Sequence, residues 1–324
     1  MSGAVSLPAV TESSRDVDDA RLLAPGPLPA RTRPRWSDMA VRAAVLACAV
    51  VVVAATLAVI LFVGRTGVHG IREVGLGGLI AGTTWKPEAG VFGGLPLLFG
   101  TGVSALGAVV VGAAPAVLAA IWVIELAPRS VRAVYQRVME VAAALPSVVY
   151  GWLALLLLVP RMDTVARLVH GESAHVGGEG LASAAVLLGI MIAPTVLLLS
   201  LDALARVPSS LRDASAALGA SRFQTAFRVS APYAWRRILV AVFFGFARAA
   251  GETMAVQMVI GGARRLPANL FSPATTVSAQ IVMDMQNARP GTPAADALFS
   301  MALVLLVLSG GMVIVTRALM RRTA

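Results

Sequence analysis

Residues 201–237, LDALARVPSSLRDASAALGASRFQTAFRVSAPYAWRR, run directly into residues 238–262, ILVAVFFGFARAAGETMAVQMVIGG. The end of one apolar stretch passes through a basic amphipathic segment into a second apolar stretch that carries Arg248 and Glu252. Charge at membrane depth costs about 2.5–3.5 kcal/mol per residue on insertion scales, so its presence there points to a transport path. A spacing of four places the two side chains on one face of a helix, where they read as a buried ion pair.

The rest of the chain supplies the membrane. It is 57% hydrophobic and only 14% charged, with a mean hydropathy of +0.80. A soluble domain would carry about a quarter charged residues. Crossing a bilayer takes about 20 apolar residues, and six stretches meet that length: 43–63, 97–124, 136–159, 181–201, 237–261 and 296–316. Strand alternation is absent, which excludes a β-barrel. The expected fold is therefore an all-α integral membrane protein of six transmembrane helices.

A net charge of +10 invites a nucleic-acid reading, but the arginines follow the loops. Arg31, Arg33, Arg35 and Arg42 precede the first span, Arg129 and Arg132 follow the second, and Arg206, Arg212, Arg222, Arg228, Arg236 and Arg237 follow the fourth. Arg317, Arg321 and Arg322 close the chain. The alternate loops mix fewer bases with Glu73, Glu88, Asp163, Glu172 and Glu179. By the positive-inside rule both termini are cytoplasmic, in a multi-pass protein of the plasma (inner) membrane. Residues 1–40 read as a disordered cytoplasmic tail, 41–96 as the first span with an external loop, and 97–320 as the core domain. The tail is too long and polar for a signal peptide, so the first span is expected to stay uncleaved. Cys48, the only cysteine, reads as a small buried apolar residue of that span.

The phosphate cradle of an ATPase, GxxxxGK[ST], needs a lysine, and the sole lysine is Lys86 in an expected external loop. Active transport would then need either a partner that hydrolyses ATP or an ion gradient. The segment 202–235 bears on that choice. Leu204, Val207, Leu211, Ala214, Leu218 and Phe223 recur at helical spacing, Pro208 starts a helix, and Gly219 allows a sharp turn. A second short helix, Arg222 to Val229, is expected to end at Pro232. The pair reads either as a docking surface or as two helices lying on the membrane.

Asp213-Ala214-Ser215, Gly219 and Val229-Ser230-Ala231-Pro232 resemble the coupling motif of ABC importer permeases, EAA-xxx-G followed by I-x-L-P. Asp213, Ser215 and Ala231 depart from it while the spacing is kept. FGGLPLLFGTGVSAL at 92–106, WVIELAPRSVR at 122–132, LPSVVYGW at 145–152 and FARAAGETMAV at 246–256 are similar to the PstC family of phosphate permeases. The resemblance implies a type I ABC importer permease fold with two cytoplasmic coupling helices. It also implies a PstA-like second permease, two ATPase subunits and an external phosphate-binding protein. ATP and Mg would belong to the ATPase partner, so this chain is expected to be no enzyme and to bind no cofactor.

Within that frame Arg248, Glu252, Thr253 and Ser147 are candidate pathway residues, and Asp213, Ala214, Ser215, Gly219 and Pro232 candidate coupling residues. A guanidinium offers a planar fork to an oxyanion, and a carboxylate accepts the proton of a protonated phosphate. The plainer reading of Arg248 and Glu252 is a structural pair. Three alternatives stay open: another oxyanion or organic phosphate as cargo, a secondary transporter with Glu252 as proton relay, and a non-transporting membrane scaffold. Gly100, Ser104, Ala108 and Gly112 read as a small-residue packing stripe, and Glu125 with Arg129 as a local pair across Pro128. His69, His170 and His175 all fall in expected external loops. The spacing of His170, Glu172 and His175 matches no zinc motif, so no metal is expected.

Overall fold

A computed structural model describes residues 36–171, 177–289 and 291–321. Most of the expected tail, together with Glu172, His175 and Arg322, lies outside the described residues. The chain divides into two compact units, Met1–Val59 and Ile60–Ala324.

Helix α1, Trp36–Val74, begins in the first unit and ends in the second. Its residues from Met39 to Val59 are exposed, Cys48 among them, which corrects the buried reading of that cysteine. A helix apolar on every side is one whose surroundings are apolar too. α1 also extends past the expected span far enough to carry His69, which is therefore helical rather than in a loop.

In the second unit, α2 (Leu76–Ala81) leads to a two-stranded hairpin, β1 (Trp85–Lys86) antiparallel to β2 (Val91–Phe92). Then come α3 (Leu95–Glu125), α4 (Arg129–Ala144), α5 (Ser147–His170) and α6 (Leu181–Ala205). α7 (Ser209–Ala217), α8 (Arg222–Thr225) and α9 (Ala231–Gly251) follow, and α10 (Met254–Gln257), α11 (Val277–Met285) and α12 (Pro293–Arg321) complete the chain.

Among the described residues, five helices are long and apolar enough to cross a membrane: Met39–Val74, Leu95–Glu125, Ser147–His170, Leu181–Ala205 and Pro293–Ala318. The fifth expected span, 237–261, is not one continuous helix. α9 ends at Gly251, and Arg237, Arg248 and Glu252 make 237–261 the most charged of the six stretches. The third expected span is displaced as well. The helix breaks at Leu145–Pro146, so 136–159 gives way to an amphipathic α4 with no buried residue and a spanning α5. Proline biases the residue before it away from helical angles, and Leu145 is extended at φ −64°, ψ 136°.

α6 forms the hub, buried along most of its length and packed against α3, α4, α5 and α9. The small-residue stripe of α3 makes the close contacts expected of it. Ser104 and Ala108 are buried, and a Cβ on Gly112 would overlap the backbone of Gly189 in α6. At Gly100 the neighbour is instead the extended backbone of Thr275. A second core joins Leu79, Trp85 and Phe92 to Leu97, Val277, Leu298 and Met301.

Two prolines sit inside continuous helix by the same device. A π-helical turn, Val109–Ala113 in α3 or Ala226–Ser230 between α8 and α9, is followed each time by an Ala-Pro pair. The alanine amide donates five residues back, Ala114 to Val109 and Ala231 to Ala226, and the proline, which has no N–H, follows within the shifted ladder. Pro232 thus fails to end the second short helix; the chain runs straight on into α9.

Candidate functional site

Two helix interruptions lie together in the second unit. The first is Leu145–Pro146, ahead of α5. The second is Glu252–Thr253, ahead of α10, where Glu252 is extended at φ −69°, ψ 136°. Gly151 lets the two approach: a Cβ there would lie 2.8 Å from the Cα of Ala255 and 2.9 Å from the sulfur of Met258. Tyr150 closes over the first break by donating its hydroxyl to the carbonyl of Ala142 at 2.7 Å. Ser147, half-buried, is the first residue of α5, at the helix end where backbone amides lack intrahelical acceptors.

Arg248 sits in the last turn of α9, exposed. It forms no hydrogen bond or ion pair among the described residues. The buried ion pair read from the sequence is therefore absent. α9 ends one residue before Glu252, so the four-residue helical spacing that would join the side chains is lost. Glu252 turns the other way: its Oε1 accepts from the Ala255 amide at 3.4 Å, and its carbonyl accepts from the Ser278 hydroxyl at 2.7 Å. Thr253 donates its hydroxyl to the Gly251 carbonyl at 3.3 Å. The result is a free guanidinium, a helix N-terminus and a capped carboxylate near one junction, a set that suits a partly protonated tetrahedral anion.

Ser278 is a contributor that sequence reading missed. The segment 262–295 passes for an external loop, yet Thr275, Val277, Ala279 and Gln280 within it are fully buried. Thr101 in α3 anchors this return by accepting the Val277 amide at 3.0 Å. The signal available was Thr276 before VSAQIVMDM, a helix start, and Thr276 does cap α11 by accepting from the Ala279 amide.

The second candidate surface is built on α7 and α8. Arg212 anchors it. Its guanidinium donates to Glu125 Oε1 at 3.1 and 2.9 Å and to the carbonyls of Val207 and Leu204 at 3.0 and 2.9 Å. Glu125 therefore pairs with Arg212 and not with Arg129 as expected. Ser215 and Thr225 hold α7 against α8 through their hydroxyls, 2.9 Å apart and buried. Gly219 makes the turn at φ +79°, a conformation other residues rarely adopt, with open space around it. Ser221 and Gln224 then form a capping box that starts α8. What this frame presents outward is Asp213, Ala214, Leu218 at 89% exposure and Phe223 at 60%, while Pro232 lies exposed at the root of α9.

His170 packs edge-on against Phe271 with ring centroids 5.7 Å apart. His69 lies between Asp296 at 3.3 Å and Glu73 at 3.9 Å. These three are a group whose ligand atoms lie close enough to hold an ion, with His69 and Glu73 exposed.

Residues 112–324 match the family described as the binding-protein-dependent transport system inner membrane component. The chain belongs to this family. Among its relatives is the probable ABC transporter permease protein YqgH of Bacillus subtilis, 36% identical over 285 residues, covering 87% of this chain and 90% of that one. The phosphate transport system permease protein PstC of Mesorhizobium japonicum is 32% identical over 251 residues, covering 74% and 76%. PstC of Haemophilus influenzae is 28% identical over 291 residues, covering 86% and 91%. The protein is thus an all-α ABC importer permease, similar to PstC and multi-pass in the inner membrane. Membership in a binding-protein-dependent family removes the proton-driven alternative.

Proposed function

We propose that this permease forms half of the pathway of an ATP-driven phosphate importer, with Arg248 as the anion contact. The observation that carries this reading is the guanidinium of Arg248, unpaired among the described residues and beside two helix interruptions. An arginine free of internal partners keeps its donor fork available to a tetrahedral oxyanion. Glu252, Thr253 and Ser147 lie around the same junction. A carboxylate accepts a hydrogen bond from a protonated phosphate and repels a fully deprotonated sulfate. The similarity to permeases named for phosphate transport supports the same cargo.

In this reading a PstA-like permease completes the pathway, and an external phosphate-binding protein delivers the anion. Two ATPase subunits, which carry ATP and Mg, dock on 202–235 through the exposed face of Asp213, Ala214 and Leu218. Ser215, Gly219 and Pro232 shape that face from behind. Both termini are cytoplasmic, which puts this face beside the ATPases. A second reading, another oxyanion as cargo, draws on YqgH, whose name gives no cargo. Uptake of labelled phosphate and sulfate by the reconstituted complex separates the two. Phosphate-selective uptake supports the proposal, and preference for another anion replaces it.

A further inference from the structure

We infer that the cleft between the end of α1 and the start of α12 is a binding site for one anionic phospholipid. The cleft has a volume of ≈ 1190 Å³ and is polar at one end and apolar at the other. On α1, Phe62, Arg65, His69 and Arg72 are spaced i, i+3, i+7 and i+10, one stripe of a helix, and all four line the cleft. On α12 the facing wall is Asp296, Phe299, Leu303 and Val307. Phe62 and Phe299 meet edge to face, with centroids 5.3 Å apart, in the apolar part.

The charges select the occupant. Arg65 and Arg72 are exposed and make no hydrogen bond or ion pair among the described residues. The one carboxylate lining the cleft, Asp296, already faces His69 at 3.3 Å. Two free cations thus stand at the polar end, while Asp296 and, beside the lining, the exposed Glu73 at 3.9 Å both face His69. Depth agrees with a lipid. The charge-free run from Ala43 to Gly64 is about the 20 residues that a hydrocarbon core requires, so Arg65 falls at headgroup level. Phe62, Phe299, Leu303 and Val307 are then left for an acyl chain. Arg65 and Arg72 also lie toward the end of α1 that the arginine distribution assigns to the outside, a side the positive-inside rule leaves poor in base, so topology does not account for them.

The test is native mass spectrometry of the purified permease complex after exchange into detergent with equal phosphatidylglycerol and phosphatidylethanolamine. The expected result is one retained phosphatidylglycerol per chain, lost in the Arg65→Gln/Arg72→Gln variant and kept in Arg65→Lys/Arg72→Lys. Equal retention by wild type and the Gln variant would overturn the inference. So would a preference for phosphatidylethanolamine, or displacement by millimolar inorganic phosphate, which would make it a soluble-anion site. Should the Gln variant not assemble, a photoactivatable phosphatidylglycerol decides on the wild-type complex. Crosslinks concentrated in 60–72 and 295–307 support the site, and an even spread over all spans rejects it.

Discussion

Arg212 and Glu125, 87 positions apart in sequence, are joined at 2.9 Å, and this contact fastens the α7–α8 surface to the end of α3. The Glu125 side chain is only 8% exposed, and the Arg212 guanidinium is the cation that faces it. Removing one partner of such a pair strands the other, at a cost of about 3 kcal/mol.

Arg212→Met should therefore lower the thermal stability of the complex and its transport-coupled ATP hydrolysis together. The double variant Arg212→Met/Glu125→Gln should recover much of the stability, since no charge is left stranded. A thermodynamic cycle on melting, run beside ATPase assays, checks both. Additive losses would show that the two residues act separately.

Leu218 and Gly219 test the docking surface without touching the core. Leu218→Asp, at a residue 89% exposed, should leave insertion intact and reduce co-purification of the ATPase subunits. Gly219→Asn tolerates a positive φ and should stay near wild type, while Gly219→Val, strained there by about 1 kcal/mol or more, should not. Equal coupling in all three variants would remove this segment from the interface.

Topology is checked by cysteine labelling on a Cys48→Ser background. Gln280 is buried, so the reporter for the α11–α12 connection belongs at the exposed Gln286. Gln286→Cys should react with an impermeant maleimide from outside, and Leu218→Cys only after permeabilisation. The opposite pattern would invert the protein.

Glu252→Gln keeps the shape of the α10 cap but adds donors in place of an acceptor-only group. Phosphate transport should fall and rejection of sulfate should relax, measured in a complex that no longer requires the binding protein. Unchanged selectivity would confine Glu252 to capping.

Membrane class, most of the spans and the turn at Gly219 were legible because they rest on composition, on runs of apolar residues and on one glycine, all local. The helix ends were not. Pro146 breaks a helix while Pro115 and Pro232 follow π turns and Pro160 and Pro194 sit inside plain α-helix, and nothing local in the sequence separates the three outcomes. The same limit hid the break at Gly251, so Arg248 and Glu252 read as a pair although the chain parts them. Contacts between distant segments, Arg212 with Glu125 and Ser278 with Glu252, had no periodic signal to announce them.

The central claim is that Arg248 holds the anion in the pathway, and uptake of labelled phosphate by reconstituted Arg248→Ala and Arg248→Lys complexes tests it most directly. Arg248 has no hydrogen-bond or ion-pair partner to strand among the described residues, so both variants should assemble and bind their ATPase subunits like wild type. Arg248→Ala should lose phosphate uptake by at least tenfold. Arg248→Lys, which keeps the charge without the planar fork, should retain a fraction of it. Wild-type uptake by a fully assembled Arg248→Ala complex would contradict the account.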